Sequence, residues 1–167
     1  MNRSHLLSNP LFAPFAIQIL LAYEWLFSGG EKVIGGQFVP NITKTLVRFE
    51  SSNPHEWYTG SVLAIAKSYP IVFGTLVQWG EILTGIGLLA ALALYAFSKQ
   101  SSSKNLARVI AITALFGGAF MNLNFYFAAG WTSPSTAGLN ALMFWASIIL
   151  TGTWIGTLHK DQKIRPS

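Results

Sequence analysis

Cysteine is absent from this chain of 167 residues, which excludes disulfides, thiolate metal sites, iron–sulfur clusters and thiol nucleophiles. Charge is scarce too: 10% of residues are Asp, Glu, Lys or Arg, against about a quarter in a soluble domain. Histidine is limited to His5, His55 and His159, none with a second imidazole at helical spacing. Axial haem ligation inside a helical bundle and a nucleophile–histidine pair therefore lack their side chains. Any redox chemistry must borrow its cofactor from a partner or bind a quinone. No repeat, low-complexity segment or basic stripe with interleaved aromatics occurs, so the net charge of +5 requires no nucleic acid.

What the chain has in excess is apolar length. Hydrophobic residues make up 51% of it and mean hydropathy is +0.44. Four runs, about residues 11–29, 70–97, 106–129 and 136–158, approach or exceed the roughly 20 residues that span a bilayer as a helix. They are continuous rather than alternating, so the expected fold is all-α: a single four-helix transmembrane bundle. The long connection, residues 30–69, carries two short amphipathic candidates. Asn41 caps Ile42–Glu50, and Pro54 opens Glu56–Ser68, both placed on the membrane surface or as a lid. Trp25, Trp57, Tyr58, Tyr69, Tyr126, Trp131 and Trp154 fall near run ends, as interfacial aromatics do.

Basic residues set the expected orientation. Lys99, Lys104 and Arg108 flank the second connection, Lys160, Lys163 and Arg165 lie in the tail, and Arg3 precedes the first run. In the long connection, Lys32, Lys44, Arg48 and Lys67 are diluted and offset by Glu31, Glu50 and Glu56. The positive-inside rule then puts both termini in the cytoplasm and residues 30–69 outside, in a multi-pass protein of the cell inner membrane. Arg3 before an apolar run also resembles a signal peptide, but Gln18, Glu24 and the lack of an Ala-x-Ala site favour a retained helix.

Inside these spans the polar residues are few and unevenly placed. At 1.5 Å per residue, Glu24 lies about 7 Å below the outer edge, Gln18 about 16 Å, Gln78 about 12 Å and Glu81 about 16 Å. Asn124, Asn122 and Asn140 lie about 9, 12 and 9 Å down. The inner half is almost purely apolar, which points to a polar cavity opening outward. Gly74, Gln78, Glu81 and Gly85 share one helix face. A carboxylate at that depth costs about 2.5 kcal/mol or more, so Glu81 is the leading functional candidate. Asn122 and Asn124 cannot face the same way; Gly118 and Phe125 favour Asn122 inward. Gln18 reads as interhelical glue, Glu24 as a residue reaching water or Lys32, and Trp79 and Trp25 as candidate pocket walls.

Gly29-Gly30-Glu31-Lys32-Val33-Ile34, Trp57-Tyr58, Pro70, Gly80-Glu81-Ile82-Leu83-Thr84-Gly85 and Asn122-Leu123-Asn124 through Gly130-Trp131 occur here in the order seen in the DoxX/DoxD family. The chain resembles that family from about residue 15 to 155, most closely its DoxD branch, the membrane subunit of thiosulfate:quinone oxidoreductase. The resemblance implies a link to thiosulfate oxidation and quinone reduction, and attaches to Lys32, Glu81, Asn122 and Asn124. In that reading Glu81 moves a proton, Asn122 and Gln78 hydrogen-bond carbonyls, Trp79 packs the ring, and Glu24, Asn124 and Asn140 complete the polar layer. Gln18 stands where family members often carry arginine, which weakens the case for a dianion. The alternative is a non-catalytic accessory or assembly subunit of a larger respiratory or photosynthetic membrane complex. Membrane lipid and partner subunits are the expected neighbours in both.

Overall fold

The computed structural model describes residues 11–163, with side chains described to Thr157. Arg3, His5 and Arg165 lie outside the described residues, as do the side chains of His159, Lys160 and Lys163. Every element is helical. The long helices are α1 (Phe12–Gly35), α5 (Pro70–Phe97), α6 (Ser101–Ala129) and α7 (Pro134–Lys163). Between α1 and α5 lie α2 (Phe38–Glu50), α3 (Glu56–Tyr58), a π-helical turn (Thr59–Leu63) and α4 (Ala64–Ser68). A 3-10 turn, Gly130–Thr132, links α6 to α7.

Four helices are long and apolar enough to cross a membrane, the pattern of an integral membrane protein. Their outward faces carry large apolar side chains such as Leu20, Leu76, Phe116 and Leu142, each more than 60% exposed. Facing water, these would form a patch far beyond what soluble proteins tolerate. In hydrocarbon they cost nothing.

Sequential neighbours pack together: α1 on α5, α5 on α6 and α6 on α7, while α1 and α7 meet over a much smaller contact. Because lipid is as apolar as leucine, such helices associate through close packing and interhelical hydrogen bonds. Glycines permit the closest approaches. A Cβ at Gly85 would lie 2.6 Å from Leu26 Cγ and 3.0 Å from the Ala22 carbonyl oxygen, and one at Gly29 would lie 2.9 Å from Ile82. A buried core of Leu21, Trp25, Leu88, Leu115, Leu150 and Trp154 fills the bundle.

Two polar knots brace that core. Trp154 Nε1 donates to Gln18 Oε1 at 2.7 Å, and Gln18 Nε2 donates to the Leu88 carbonyl at 2.9 Å, joining α7, α1 and α5. Arg108 is 2% exposed. Its guanidinium donates to Thr157 Oγ1, the Thr157 carbonyl and Asn105 Oδ1 and lies over the Tyr95 ring. A residue expected as a loop-end cation is thus a buried clamp between α6 and α7.

Helix boundaries differ from expectation where packing overrides local preference. Gly29 and Gly30 were expected to close α1, but the helix runs on to Gly35 and ends at Gly36, in the left-handed conformation with φ 63°. The close contact with Ile82 uses Gly29 as a packing surface, so it is no terminator. Asn41 does not cap α2; it sits inside the helix and donates from Nδ2 to the Gln37 carbonyl. Trp25, Tyr58 and Trp154 are buried rather than interfacial, whereas Trp57 and Tyr69 are exposed.

Gly85→Ala is expected to destabilise the protein by about 1–3 kcal/mol, since Leu26 and a backbone carbonyl block the methyl group. Gly30→Ala, with nothing within 4 Å of its Cβ position, should be neutral or stabilising by up to about 1 kcal/mol. Thermal melts of the purified variants in detergent check both, and equal melting temperatures would refute the packing account.

Candidate functional site

The α1 extension has a chemical result. With helix continuing past Gly30, Ser28 and Lys32 stand one turn apart on the same face. Lys32 Nζ donates to Glu81 Oε2 at 2.7 Å and Oε1 at 2.9 Å, and to Ser28 Oγ at 2.8 Å. Ser28 Oγ donates to Glu81 Oε2 at 3.3 Å. The Phe38 ring lies 5.2 Å from the ammonium, closing it in from α2. Glu81 is 1% exposed and the Lys32 side chain 20%, so the carboxylate is enclosed and the cation reaches toward the opening. The pair has no net charge.

A cavity of about 260 Å³ rises from this pair toward the capped end of the bundle. Glu81, Val77 and Phe73 of α5 share a face at spacings of four residues and form one wall. Asn124 and Phe125 of α6, with Thr136 and Asn140 of α7, form another. Phe38, Ile42, Leu46 and Phe49 of α2, with Tyr58 and Leu63, form the roof. Apart from the ion pair and a few amides and hydroxyls the lining is apolar and aromatic, as small-molecule sites usually are.

The roof is tied down rather than draped. Ile42, Leu46, Tyr58, Leu63, Ala66 and Ala128 make a second buried core, joining the cap to the end of α6. Ile42 packs onto the gap at Gly74 of α5, where a Cβ would lie 3.2 Å away. Asn53 Nδ2 donates to the Phe127 and Ala128 carbonyls, satisfying groups that the end of α6 leaves open. Lys67 and Glu50 pair at 2.6 Å, both more than a third exposed, a contact worth about 1 kcal/mol at most. The π-helical turn directly follows Tyr58, and such turns often stand at functional sites.

Tyr58 links roof to wall. Its hydroxyl lies within hydrogen-bonding distance of the Asn124 carbonyl at 3.1 Å and of Asn124 Oδ1 at 3.2 Å, and donates to them. Burial pushes the phenol up to about 12. Asn124 Nδ2 donates to the Phe120 carbonyl and Asn140 Nδ2 to the Thr136 carbonyl. Each amide nitrogen carries two hydrogens, of which these bonds use one.

Among the expected site residues, Lys32, Glu81, Asn124 and Asn140 meet at the cavity. Asn122 does not line it; the residue is 1% exposed, packed within the bundle. Of the two asparagines, Asn124 faces the cavity. Gln78 is half-buried beside the lining, because the wall follows Phe73, Val77 and Glu81 and Gln78 is turned about 100° from Val77. Trp79 is turned farther and is 49% exposed, so it packs no ring here. Trp25 lies in the bundle core. Glu24 is half-buried, with no side-chain partner among the described residues, and Lys32 pairs with Glu81 instead. Ser28, Tyr58 and Thr136 were missed. Ser28 had a signal, its four-residue spacing from Lys32, but the expected helix end at Gly29 hid it.

No protein-family model, curated protein or solved structure matches this chain.

Replacing Lys32 alone with methionine leaves a buried carboxylate without its cation and should cost about 3 kcal/mol, while Lys32→Met with Glu81→Met should recover most of that. A double-mutant cycle of melting temperatures checks it; additive losses would show the pair uncoupled. The raised Tyr58 pKa has its own sign. Below pH 10 both folded and unfolded states keep the phenol proton, so stability is intact. Between 10 and about 12 the unfolded chain ionises first and stability falls. Ultraviolet titration should show one tyrosine ionising near pH 12, missing in Tyr58→Phe.

Proposed function

We propose that this protein binds a quinone, or a lipid with a quinone-like head, in the capped cavity, as the membrane subunit of an oxidoreductase resembling DoxD. The observation that carries this reading is a half-open, aromatic-lined cavity with one charge-neutral hydrogen-bonding pair at its base. A dry cavity of about 150 Å³ already accepts benzene, so about 260 Å³ suits one substituted ring. The Lys32 ammonium, at the exposed side of its pair, would donate to a carbonyl oxygen by giving up one of its bonds to Glu81 or Ser28. Spare hydrogens on Asn124 and Asn140 would serve polar substituents.

Thiosulfate suits this cavity poorly. A dianion would meet a lysine already neutralised by Glu81, and desolvating it without a free cation is costly. Gln18 adds no help, since both ends of its amide are engaged by Trp154 and Leu88. In this reading thiosulfate oxidation belongs to a partner subunit, which supplies two electrons. Converting a quinone to a quinol also consumes two protons, and the Lys32–Glu81–Ser28 cluster is the proton-bearing group at the cavity base. The orientation that goes with it places the cap outside the cell inner membrane and both termini in the cytoplasm, as the distribution of basic residues suggests.

A non-catalytic reading, an accessory or assembly subunit of a larger membrane complex, is favoured by one feature. Where α1 and α7 barely meet, Pro14, Ile17, Trp145, Ile149 and Thr153 line an apolar groove. A partner helix there would complete the bundle. Purification in mild detergent separates the readings: a lone, monodisperse protein carrying quinone argues against an accessory role.

Decylubiquinone should bind the protein in lipid nanodiscs, with thiosulfate failing to compete. Glu81→Gln and Lys32→Met should each weaken it about tenfold, or about 1.4 kcal/mol. Equal affinity in wild type and both variants, measured by equilibrium binding, would remove the ion pair from the site.

A further inference from the structure

Behind the cavity base, two buried donors lack acceptors. Trp25 Nε1 and Asn122 Nδ2 are both out of solvent with no hydrogen-bond partner, on residues 3% and 1% exposed. Buried N–H groups are nearly always satisfied, so a pair of orphans asks for a cause. Phenylalanine and leucine would fill these positions without leaving a donor unpaired.

The two donors come from different helices, α1 and α6. A Cβ at Gly118 of α6 would meet Trp25 Nε1 at 3.2 Å and the Thr84 methyl of α5 at 3.2 Å. The indole nitrogen therefore lies over Gly118. Asn122 follows Gly118 by one turn on the same face, and helical side chains lean toward the helix N-terminus. A side chain at position 122 is thereby directed toward the turn that holds Gly118. Glu81, in the cavity lining, precedes Thr84 by about one turn on α5. Phe125 lines the cavity, and its ring centroid is 6.5 Å from that of Trp25.

We propose that Trp25 Nε1–H and Asn122 Nδ2–H form a second binding site, for an uncharged oxygen acceptor held between α1, α5 and α6. Two donors match the two lone pairs of a water or carbonyl oxygen. An anion is excluded by charge: the nearby cation, Lys32, is already paired with Glu81. The acceptor is either a resident water or a carbonyl oxygen of the molecule in the adjoining cavity. The carbonyl source rests on the quinone reading above; the water source does not.

The test is nuclear magnetic resonance of indole-¹⁵N-labelled protein in nanodiscs, stripped of quinone and then saturated with decylubiquinone. Trp25→Phe identifies the Trp25 signal by its loss. A resident water gives a cross-peak between the Trp25 N–H and water that persists with decylubiquinone. A carbonyl acceptor instead shifts the N–H proton and removes any water cross-peak when decylubiquinone is added, and Asn122→Leu then weakens binding about tenfold. Either result supports the site. Absence of a water cross-peak, together with an N–H signal unmoved by decylubiquinone, overturns it, and Asn122→Leu should then melt at or above the wild-type temperature because an orphan donor is gone. A water cross-peak in a protein that fails to bind decylubiquinone keeps this site and removes the quinone reading.

Discussion

Much of this structure depends on one salt bridge formed where hydrocarbon surrounds the bundle. Glu81 is tolerable at its depth because Lys32 reaches it with two short hydrogen bonds, and Lys32 reaches it because α1 stays helical through two consecutive glycines. Gly29 gains in return by letting α1 lie against Ile82 of α5. The electrostatic contact and the close helix contact thus support each other. Loss of either one would loosen the same pair of helices.

The interior follows a rule suited to lipid: apolar residues face outward and the few polar ones face each other. Gln18 joins three helices through two hydrogen bonds, and Arg108 joins α6 to α7 near the opposite end of the bundle. Each such contact is worth about 0.6–1.7 kcal/mol in a membrane bundle, so they act mainly by fixing register. With register fixed, the capped end can hold a cavity without collapse. The cap adds its own core and satisfies the last carbonyls of α6, which makes it part of the fold.

Legibility in the sequence varied with the kind of force involved. The four long helices were readable because continuous apolar runs leave few alternatives, and Pro70–Phe97 was read with both ends in place. Glu81 stood out because a carboxylate in such a run is costly. Its partner entered through a family resemblance, since local rules placed Lys32 beyond a glycine-terminated helix. Trp25, Tyr58 and Trp154 were read as interfacial because position along a run gives depth but not direction. Arg108 looked like a topology signal for the same reason. Which side of a helix meets its neighbours is a tertiary fact, and apolar-all-round helices carry almost no periodic signal to show it.

The neutrality of the Lys32–Glu81 unit bears on how the protein meets an energised membrane. A single charge moved across 100 mV does about 2.3 kcal/mol of electrical work, but two opposite charges held side by side are pulled in opposite directions and nearly cancel. A lone carboxylate at this depth would feel the voltage, and its surroundings would shift as the cell gained or lost membrane potential. Bonded to its lysine, it gives the field no net charge to grip, so a change of membrane potential exerts little force on the geometry of the cavity base.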